Sequence, residues 1–231
     1  MRSMKVPIYI CHAADFTDRK IFMEEQIQRL NLSKSFQSIT WVTKYPKEEL
    51  AAAKDIDERL RGNPYDWYSR CDIAGYGDVK YRSLRVTELS LALKHLRCYD
   101  LIAQGTCDYA LILEDDAILA NNFVETINAL LDRLCKENPA CIFLGNSANS
   151  STPIWGDGLV RGVGRPQSRC TDSYLISNDT AEVLLATIGK PLLPIDFDMS
   201  YALAKNMMEV WHLQRPIVSQ GSQNGKFDRT I

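Results

Sequence analysis

Three carboxylates stand side by side at Glu114, Asp115 and Asp116, directly after the apolar run Tyr109-Ala-Leu-Ile-Leu113. Apolar residues that end in a charged cluster are typical of a buried strand whose carboxyl end opens into a crevice, where open α/β sheets bind ligands. Adjacent acids repel one another and are costly to bury unless a cation neutralises them. The pattern therefore indicates a divalent metal site.

The same acids would also suit a solvated turn that caps the following helix, because acids are favoured at helix N-termini. Asn121 and Asn122, however, directly precede the helical pattern that begins at Phe123, and asparagine is a preferred N-cap residue. Both interpretations of the acidic run stay open on the local sequence.

The elements that must position these acids alternate along the chain. The patterns predict strands over 6–11, 38–42, 109–113, 140–145, 171–177 and 209–219, and helices over 15–30, 44–60, 83–104, 122–136, 178–188 and 201–208. This alternation favours an α/β fold with a mostly parallel sheet, covered by helices on both faces. We expect a single domain that spans residues 1–231.

The helices and loops carry further candidates. In the first helix we expect Thr17 or Asp15 to act as the cap, with Ile21, Met23, Ile27 and Leu30 as core-facing positions. In the longest helix, Glu88 and His95 share a face with Ala92, so the two polar side chains either line a site or make a structural contact beneath the sheet. The segments 61–80 and 146–169, the latter with Trp155, predict long loops near the active face.

Composition narrows the class of protein. The chain has 231 residues, 45% hydrophobic and 24% charged, with a formal charge of −2, which gives no reason to expect nucleic acid as a partner. Seven cysteines without a Cys-x-x-Cys pair, and three histidines, argue against structural zinc and favour reduced thiols. No apolar run approaches the length of a membrane span. We expect a cytoplasmic protein, with peripheral membrane association as an alternative.

Five blocks in order resemble glycosyltransferase family 25, the lipooligosaccharide-type and collagen-type galactosyltransferases. Residues 87–95, Thr-Glu-Leu-Ser-Leu-Ala-Leu-Lys-His, resemble that family's Gly-Glu-Ile-Gly-Cys-Ala-Leu-Ser-His helix, and residues 113–116 match its Leu-Glu-Asp-Asp motif. Residues 173–177 resemble its Ala-Tyr-Leu-Ile-Ser segment, 194–196 its Pro-Val-Asp, and 216–220 its terminal Pro-x-Val-x-Gln. The first strand departs from the family's Ile-Asn-Leu-Asp-Arg-Arg, leaving Arg19 as the plausible carry-over, and Thr87 and Ser90 replace two glycines.

The resemblance implies a GT-A-like, nucleotide-binding fold and a metal-dependent inverting hexosyltransferase, with galactose and a UDP-sugar as the suggested donor and a glycan or other hydroxyl acceptor. The expected cofactor is Mn²⁺ or Mg²⁺, because a hard cation stabilises the leaving diphosphate. Asp116 and Glu114 are the expected metal contacts, since alternate residues of an extended segment face the same side. Asp115 would then face the donor ribose or make structural hydrogen bonds.

The remaining roles follow the same resemblance. Asp196 is the leading candidate for the catalytic base or a second metal contact, followed by Asp198, with an N-cap as the alternative for Asp196. The expected donor-binding residues are Arg19, Glu88, His95, Glu114, Asp115 and Tyr174. Tyr174 and Trp155 could stack on a sugar, although core packing explains a strand tyrosine equally well.

Two other functions compete with this one. A nucleotidyltransferase also places carboxylates and metal beside a nucleotide, but it normally has a glycine-rich loop after the first strand, and residues 11–19 contain no glycine. A catalytically silent member of the fold, serving as a carbohydrate-binding or assembly module, would keep the architecture without turnover. Metal-dependent turnover of the donor separates the enzyme from the silent module.

Overall fold

The computed structural model describes residues 6–52, 63, 66–76, 80–145, 158–163 and 170–228. The strands in these ranges are β1 (Ile8–Cys11), β2 (Ile39–Val42), β3 (Tyr109–Glu114), β4 (Ala117–Leu119), β5 (Cys141–Phe143), β6 (Leu159–Val163), β7 (Ser173–Ser177), β8 (Glu209–Leu213) and β9 (Val218–Gln220). The helices are α1 (Thr17–Arg29), α2 (Leu32–Ser35), α3 (Lys47–Ala52), α4 (Trp67–Ile73), α5 (Val86–Ala103), α6 (Phe123–Glu137), α7 (Asn178–Ile188) and α8 (Ile195–Lys205). Trp155 and most of the predicted loop 146–169 lie outside the described residues, whereas the predicted loop 61–80 contains the helix α4, so that prediction was wrong for residues 67–73.

Seven strands form one sheet in the order β2-β1-β3-β7-β5-β8-β6. The pairs β1/β2, β1/β3 and β5/β8 are parallel, whereas β7 and β6 run antiparallel to their neighbours. Five of the seven strands therefore point in the same direction, which confirms the predicted α/β class with a mostly parallel sheet. The remaining strands, β4 and β9, pair antiparallel in a separate two-stranded sheet.

Alternate side chains of the large sheet point to opposite faces and contribute to two apolar cores, one on each face. Ile10, Leu111 and Leu113 pack with side chains of α1, α2 and α6, while Ala110 and Ile112 pack with those of α3, α4, α5, α7 and α8. Both faces of β3 are buried, which explains why its sequence is continuously apolar rather than alternating. The predicted cover of helices on both faces is confirmed.

Several local predictions about the elements were wrong. In α1, Met23 is buried as predicted, but Ile21 is 57% exposed and Gln26 takes an inward position. Neither Thr17 nor Asp15 caps this helix, because the N-cap residue is Phe16 and the Asp15 carboxylate binds Lys47 instead.

Other boundaries also differ. Residues 159–163, predicted as loop, form the edge strand β6, whose glycine weakens the strand pattern. The predicted last strand divides into β8 and β9 around Pro216, and α8 begins at 195 rather than 201. The helix after the acidic run begins at Phe123, so Glu114, Asp115 and Asp116 do not cap it.

Candidate active site

A cleft of about 450 Å³ opens at the carboxyl ends of β1 and β3. Its wall combines segments that are far apart in the chain: residues 13–16 after β1, 46–48 at the start of α3, the first turns of α5, the acids 114–116, residues 170–171, residues 194–197 and residues 220–223. The volume lies in the range of sites that bind small molecules. The first acidic junction and the residues around Asp196 thus share one cavity.

Glu114 ends β3 and is held from two sides. Its Oε1 accepts a hydrogen bond from Thr171 Oγ1 at 2.8 Å, and the Nε2 of His95 lies 3.4 Å from the same oxygen. The latter is an ion-pair distance without hydrogen-bond alignment. Glu114 is thereby fixed at the floor of the cleft.

His95 and Tyr174 lie behind Glu114 rather than in the cleft wall, and both are fully buried. His95 Nδ1 bonds the Tyr174 hydroxyl at 2.7 Å, which in turn bonds the Tyr99 hydroxyl at 2.9 Å. Burial by itself lowers the pKa of His95, but Cys11 and Glu114 outweigh it and raise that pKa to about 10. This placement does not support the expected donor contacts of His95 and Tyr174, and it supports the structural alternative stated for each.

Asp115 points away from its two acidic neighbours, toward the first strand and α1. Its Oδ2 accepts hydrogen bonds from His12 Nδ1 at 2.8 Å and from the Ala13 amide at 3.1 Å, and its Oδ1 accepts one from Arg19 Nη1 at 3.1 Å. These bonds neutralise the carboxylate within the protein. Arg19 and Asp115 both line the cleft, where they remain candidates for donor contact.

Asp116 is buried and only partly satisfied. The Ser222 amide donates to its Oδ2 at 3.2 Å, whereas its Oδ1 has no hydrogen-bond partner among the described residues. Burial, reinforced by repulsion from Glu114, raises the pKa of Asp116. An orphaned carboxylate oxygen facing such repulsion is the expected state of a ligand whose cation is supplied with the substrate.

Asp172 is a further acid of this cluster that sequence reasoning missed. It is 2% exposed, its Oδ1 has no partner among the described residues, and burial with repulsion from Glu114 and Asp116 raises its pKa to about 8. Gly145 makes room for it, since a Cβ there would lie 2.4 Å from Asp172 Oδ2. The available signal was an acid directly before the apolar strand β7.

Asp196 lies in the first turn of α8 and lines the cleft. Its Oδ1 accepts a hydrogen bond from the Phe197 amide at 3.1 Å, but the N-cap residue of α8 is Pro194, so the N-cap alternative was wrong. Burial raises the pKa of Asp196 to about 7, with Glu114 and Glu88 adding repulsion against the opposing Phe197 bond. A carboxylate with this pKa is suited to exchange protons near neutral pH.

Asp198 and Glu88 are engaged in structural pairs. Asp198 is fully buried outside the cleft wall, where it binds Arg70 Nη1 at 2.7 Å and the amides of Leu192 and Leu193. Its position does not support the expected catalytic role. Glu88 lines the cleft but is bound by both Nη atoms of Arg82 at 2.6 Å and by the Arg85 amide at 2.8 Å.

The carboxylates fit a divalent cation only if the substrate completes its coordination. Within the described ranges, no group of three His, Cys, Asp or Glu side chains is arranged to hold a metal ion. Mg²⁺ and similar hard cations are commonly bound by one or two carboxylates together with substrate phosphates. Asp116, with its unpartnered Oδ1, and Glu114 can supply the one or two carboxylates that such a site needs.

The segment 221–228, which follows β9, contacts Asp116 and Arg19. The Gly221 amide donates to the Asp116 backbone oxygen at 2.8 Å, and Arg19 Nη2 donates to the Asp228 backbone oxygen at 2.8 Å. The guanidinium of Arg19 also lies 5.5 Å from the ring centroid of Phe227. This segment therefore positions both Asp116 and Arg19.

A Gly221→Ala substitution tests this positioning role. A Cβ at residue 221 would lie 2.6 Å from the Phe227 ring and 2.9 Å from the Asp116 backbone oxygen, so the segment must shift. We expect a loss of about 1–3 kcal/mol in the free energy of unfolding, measured in urea. Gly162→Ala, where a Cβ meets nothing within 4 Å, is the control for replacing a glycine without a clash. Equal free energies of unfolding in the two variants would contradict the positioning role.

Comparison with known proteins places the chain in a family. The model of "Glycosyltransferase family 25 (LPS biosynthesis protein)" matches residues 5–149. No curated protein sequence matches the chain. None of the helices in the described ranges combines the length and the apolar composition that a membrane span needs.

Solved structures give weaker likenesses. A glycosyltransferase involved in the glycosylation of the major capsid of PBCV-1 is 11% identical with a TM-score of 0.39, covering 80% of this chain and 66% of that one. TarS 1–349 of S. aureus is 10% identical, with a TM-score of 0.42 and coverage of 94% and 60%. A putative glucose-1-phosphate thymidylyltransferase from Bacillus anthracis is 11% identical, with a TM-score of 0.46 and coverage of 96% and 94%.

The chain spans less than two thirds of the first two of these proteins, and at such TM-scores the likenesses carry no argument about activity. The family match has a different standing, because it covers more than half of the chain and includes β1, α5 and the acidic run at 114–116. On that match, the chain belongs to glycosyltransferase family 25.

Proposed function

We propose that this protein is a metal-dependent, inverting glycosyltransferase that moves a hexose, galactose in the first instance, from a UDP-sugar to a hydroxyl group of a glycan. The observation that carries the proposal is the convergence of Glu114, Asp116 and Asp196 on one cleft that is also lined by the cations Arg19 and Lys94. Family membership supports sugar transfer, and the resemblance supports galactose, UDP and inversion.

Asp116 and Glu114 would hold the divalent cation. The cation supplies electrostatic stabilisation to the diphosphate, which gains negative charge as the bond to the sugar breaks. The free Oδ1 of Asp116 offers a ligand atom, and Thr171 fixes the carboxylate of Glu114. Arg19, held by Asp115, adds a positive charge to the same wall of the cleft.

Asp196 would act as the base. Its carboxylate accepts the proton of the acceptor hydroxyl while the hydroxyl oxygen bonds to the anomeric carbon, and the nucleoside diphosphate leaves with the electron pair of the broken C–O bond. A single displacement of this kind inverts the anomeric configuration. A positioned general base contributes on the order of a hundred- to ten-thousandfold to the rate.

The raised pKa of Asp196 gives a pH test of this assignment. The base must be deprotonated, so kcat/KM is expected to fall tenfold per pH unit below the pKa of about 7 and to level off above it. Asp196→Asn removes the base and is expected to lower kcat by at least about a hundredfold. The same acidic limb in Asp196→Asn, at any residual rate, would show that another group carries the titration.

The donor is identified by thermal unfolding with a panel of nucleoside diphosphates and their sugars, with and without Mn²⁺. A ligand at about a hundredfold its dissociation constant stabilises by roughly 2.7 kcal/mol, which is several degrees in the unfolding temperature. We expect UDP-galactose to stabilise the protein only when Mn²⁺ is present. If no donor produces a shift, the silent carbohydrate-binding module replaces the enzyme as the better proposal.

A further inference from the structure

A lysine lies in the wall of the cleft at a position buried from solvent. Lys94, on the third turn of α5, is 3% exposed, and it lines the cleft together with Ser90 one turn earlier. Lysine is almost never this buried unless its ammonium group is paired. The hydrogen-bond partners of the Lys94 ammonium group therefore bear on what the cleft can bind.

Among the described residues, the ammonium group of Lys94 contacts only neutral oxygens. Its Nζ donates to Ser90 Oγ at 2.6 Å and, at a longer 3.4 Å, to the Tyr45 backbone oxygen. Ser90 Oγ donates in turn to the same Tyr45 oxygen at 2.7 Å, which fixes the direction of the lysine. No carboxylate of the described residues pairs with Lys94, and one of its three N–H donors has no acceptor there.

Lys94 belongs to the part of the cleft away from the proposed metal ligands. Its Nζ bonds Tyr45, which follows β2, whereas Glu114 ends β3, and β1 lies between these two strands in the sheet. In the proposed function, on which this inference rests, the diphosphate lies beside Asp116 and the hexose beside Asp196. The nucleoside is then left with the part of the cleft that contains Lys94.

The same part of the cleft has the character of a nucleobase site. Three apolar residues of the cleft wall lie near it: Leu91 is one turn before Lys94 on α5, Pro46 directly follows Tyr45, and the Phe16 ring lies under Lys47, the residue after Pro46. An ammonium group only donates hydrogen bonds, so it pairs with a carbonyl oxygen and is mismatched with an exocyclic amino group. Uracil carries a carbonyl at the position where cytosine carries an amino group.

We propose that Lys94, oriented by Ser90 and Tyr45, donates a hydrogen bond to a carbonyl oxygen of the donor's nucleobase and thereby selects uridine over cytidine nucleotides. The family motif quoted above has serine where this chain has Lys94, so the residue is a feature of this chain rather than of the motif. Lys94 is a specificity residue in this assignment and takes no part in bond breaking.

Isothermal titration of UDP and CDP in the presence of Mn²⁺ tests the assignment. For the parent protein we expect UDP to bind at least about tenfold more tightly than CDP, the ratio expected from one charge-assisted hydrogen bond. Lys94→Met keeps the length of the side chain and removes the donor, so the ratio of the two dissociation constants should fall to about one. Lys94→Gln, which both donates and accepts, should also lose the preference, and it replaces the first variant if Lys94→Met does not fold.

Lys47→Met is the matched control, because Lys47 is a cation of the same cleft that is paired with Asp15 at the exposed edge. It should weaken UDP and CDP by the same factor and preserve the ratio. A ratio that survives in both Lys94 variants, or a parent protein without preference, would overturn the inference and leave the proposed function intact. Failure of the parent to bind any nucleoside diphosphate with Mn²⁺ would overturn both.

Discussion

Asp116→Asn is expected to lower the rate of sugar transfer by at least about a hundredfold, the usual cost of losing one electrostatic contact to a developing charge. Asparagine keeps one side-chain oxygen, which can still accept the hydrogen bond from the Ser222 amide. The substitution removes the negative charge of the carboxylate, whose Oδ1 has no hydrogen-bond partner among the described residues. Stabilisation of the protein by UDP with Mn²⁺ should disappear at the same time. Transfer rates and unfolding temperatures with and without Mn²⁺ measure the two effects.

The stability of the ligand-free protein separates a damaged fold from a damaged site. Asp116 lies buried beside Glu114, and their repulsion together with burial raises its pKa. Removing one of the two like charges should leave the unfolding temperature of the ligand-free protein unchanged or higher. Asp132→Asn, at an exposed position of α6, is the control and should keep both activity and metal response. An Asp116→Asn variant that retains Mn²⁺-dependent binding would remove Asp116 from the metal site.

Asp198→Ala is expected to cause the largest loss of stability, about 3–5 kcal/mol in the free energy of unfolding. The change leaves Arg70 buried without its charged partner and deprives the amides of Leu192 and Leu193 of their acceptor. Urea denaturation measures this loss. Since Asp198 lies two residues after Asp196 in α8, any folded fraction should also show weakened catalysis.

Two further variants are compared with Asp198→Ala by the same urea denaturation. Glu24→Ala breaks the exposed pair with Lys20, whose side chains are 47% and 49% exposed, and should change stability by no more than about 0.5 kcal/mol. Arg70→Met should also destabilise the protein, because the buried Asp198 carboxylate then keeps its hydrogen bonds from two backbone amides but loses its cation. A stable Asp198→Ala variant with normal pH dependence would show that the pair neither supports α8 nor positions Asp196.

Most of the longer helices and strands could be predicted from the sequence, because burial of one or both faces of an element produces a recognisable pattern of apolar residues. The continuous apolar run of β3 reflects burial on both faces, and the 3.6-residue periodicity of α5 reflects one apolar face. The strands β4 and β6 were not predicted, because they are only three and five residues long. A segment this short, with a glycine in it or acids beside it, shows little periodicity. Ile21 was misplaced because an apolar residue on a helix is not obliged to be buried.

The sequence by itself determined the acidic run, the second junction at Asp196 and the family resemblance, since these depend on residue types at fixed spacing. The tertiary structure alone decided which acids meet. Antiparallel pairing of β7 with β3, with Leu113 opposite Ser173, brings Asp172 to Glu114 across 58 positions of chain, and no local pattern encodes that register. Packing of α5 and α8 likewise places Lys94 in the cleft wall and Asp198 outside it. Register and packing depend on contacts between distant residues, so a linear pattern cannot contain them.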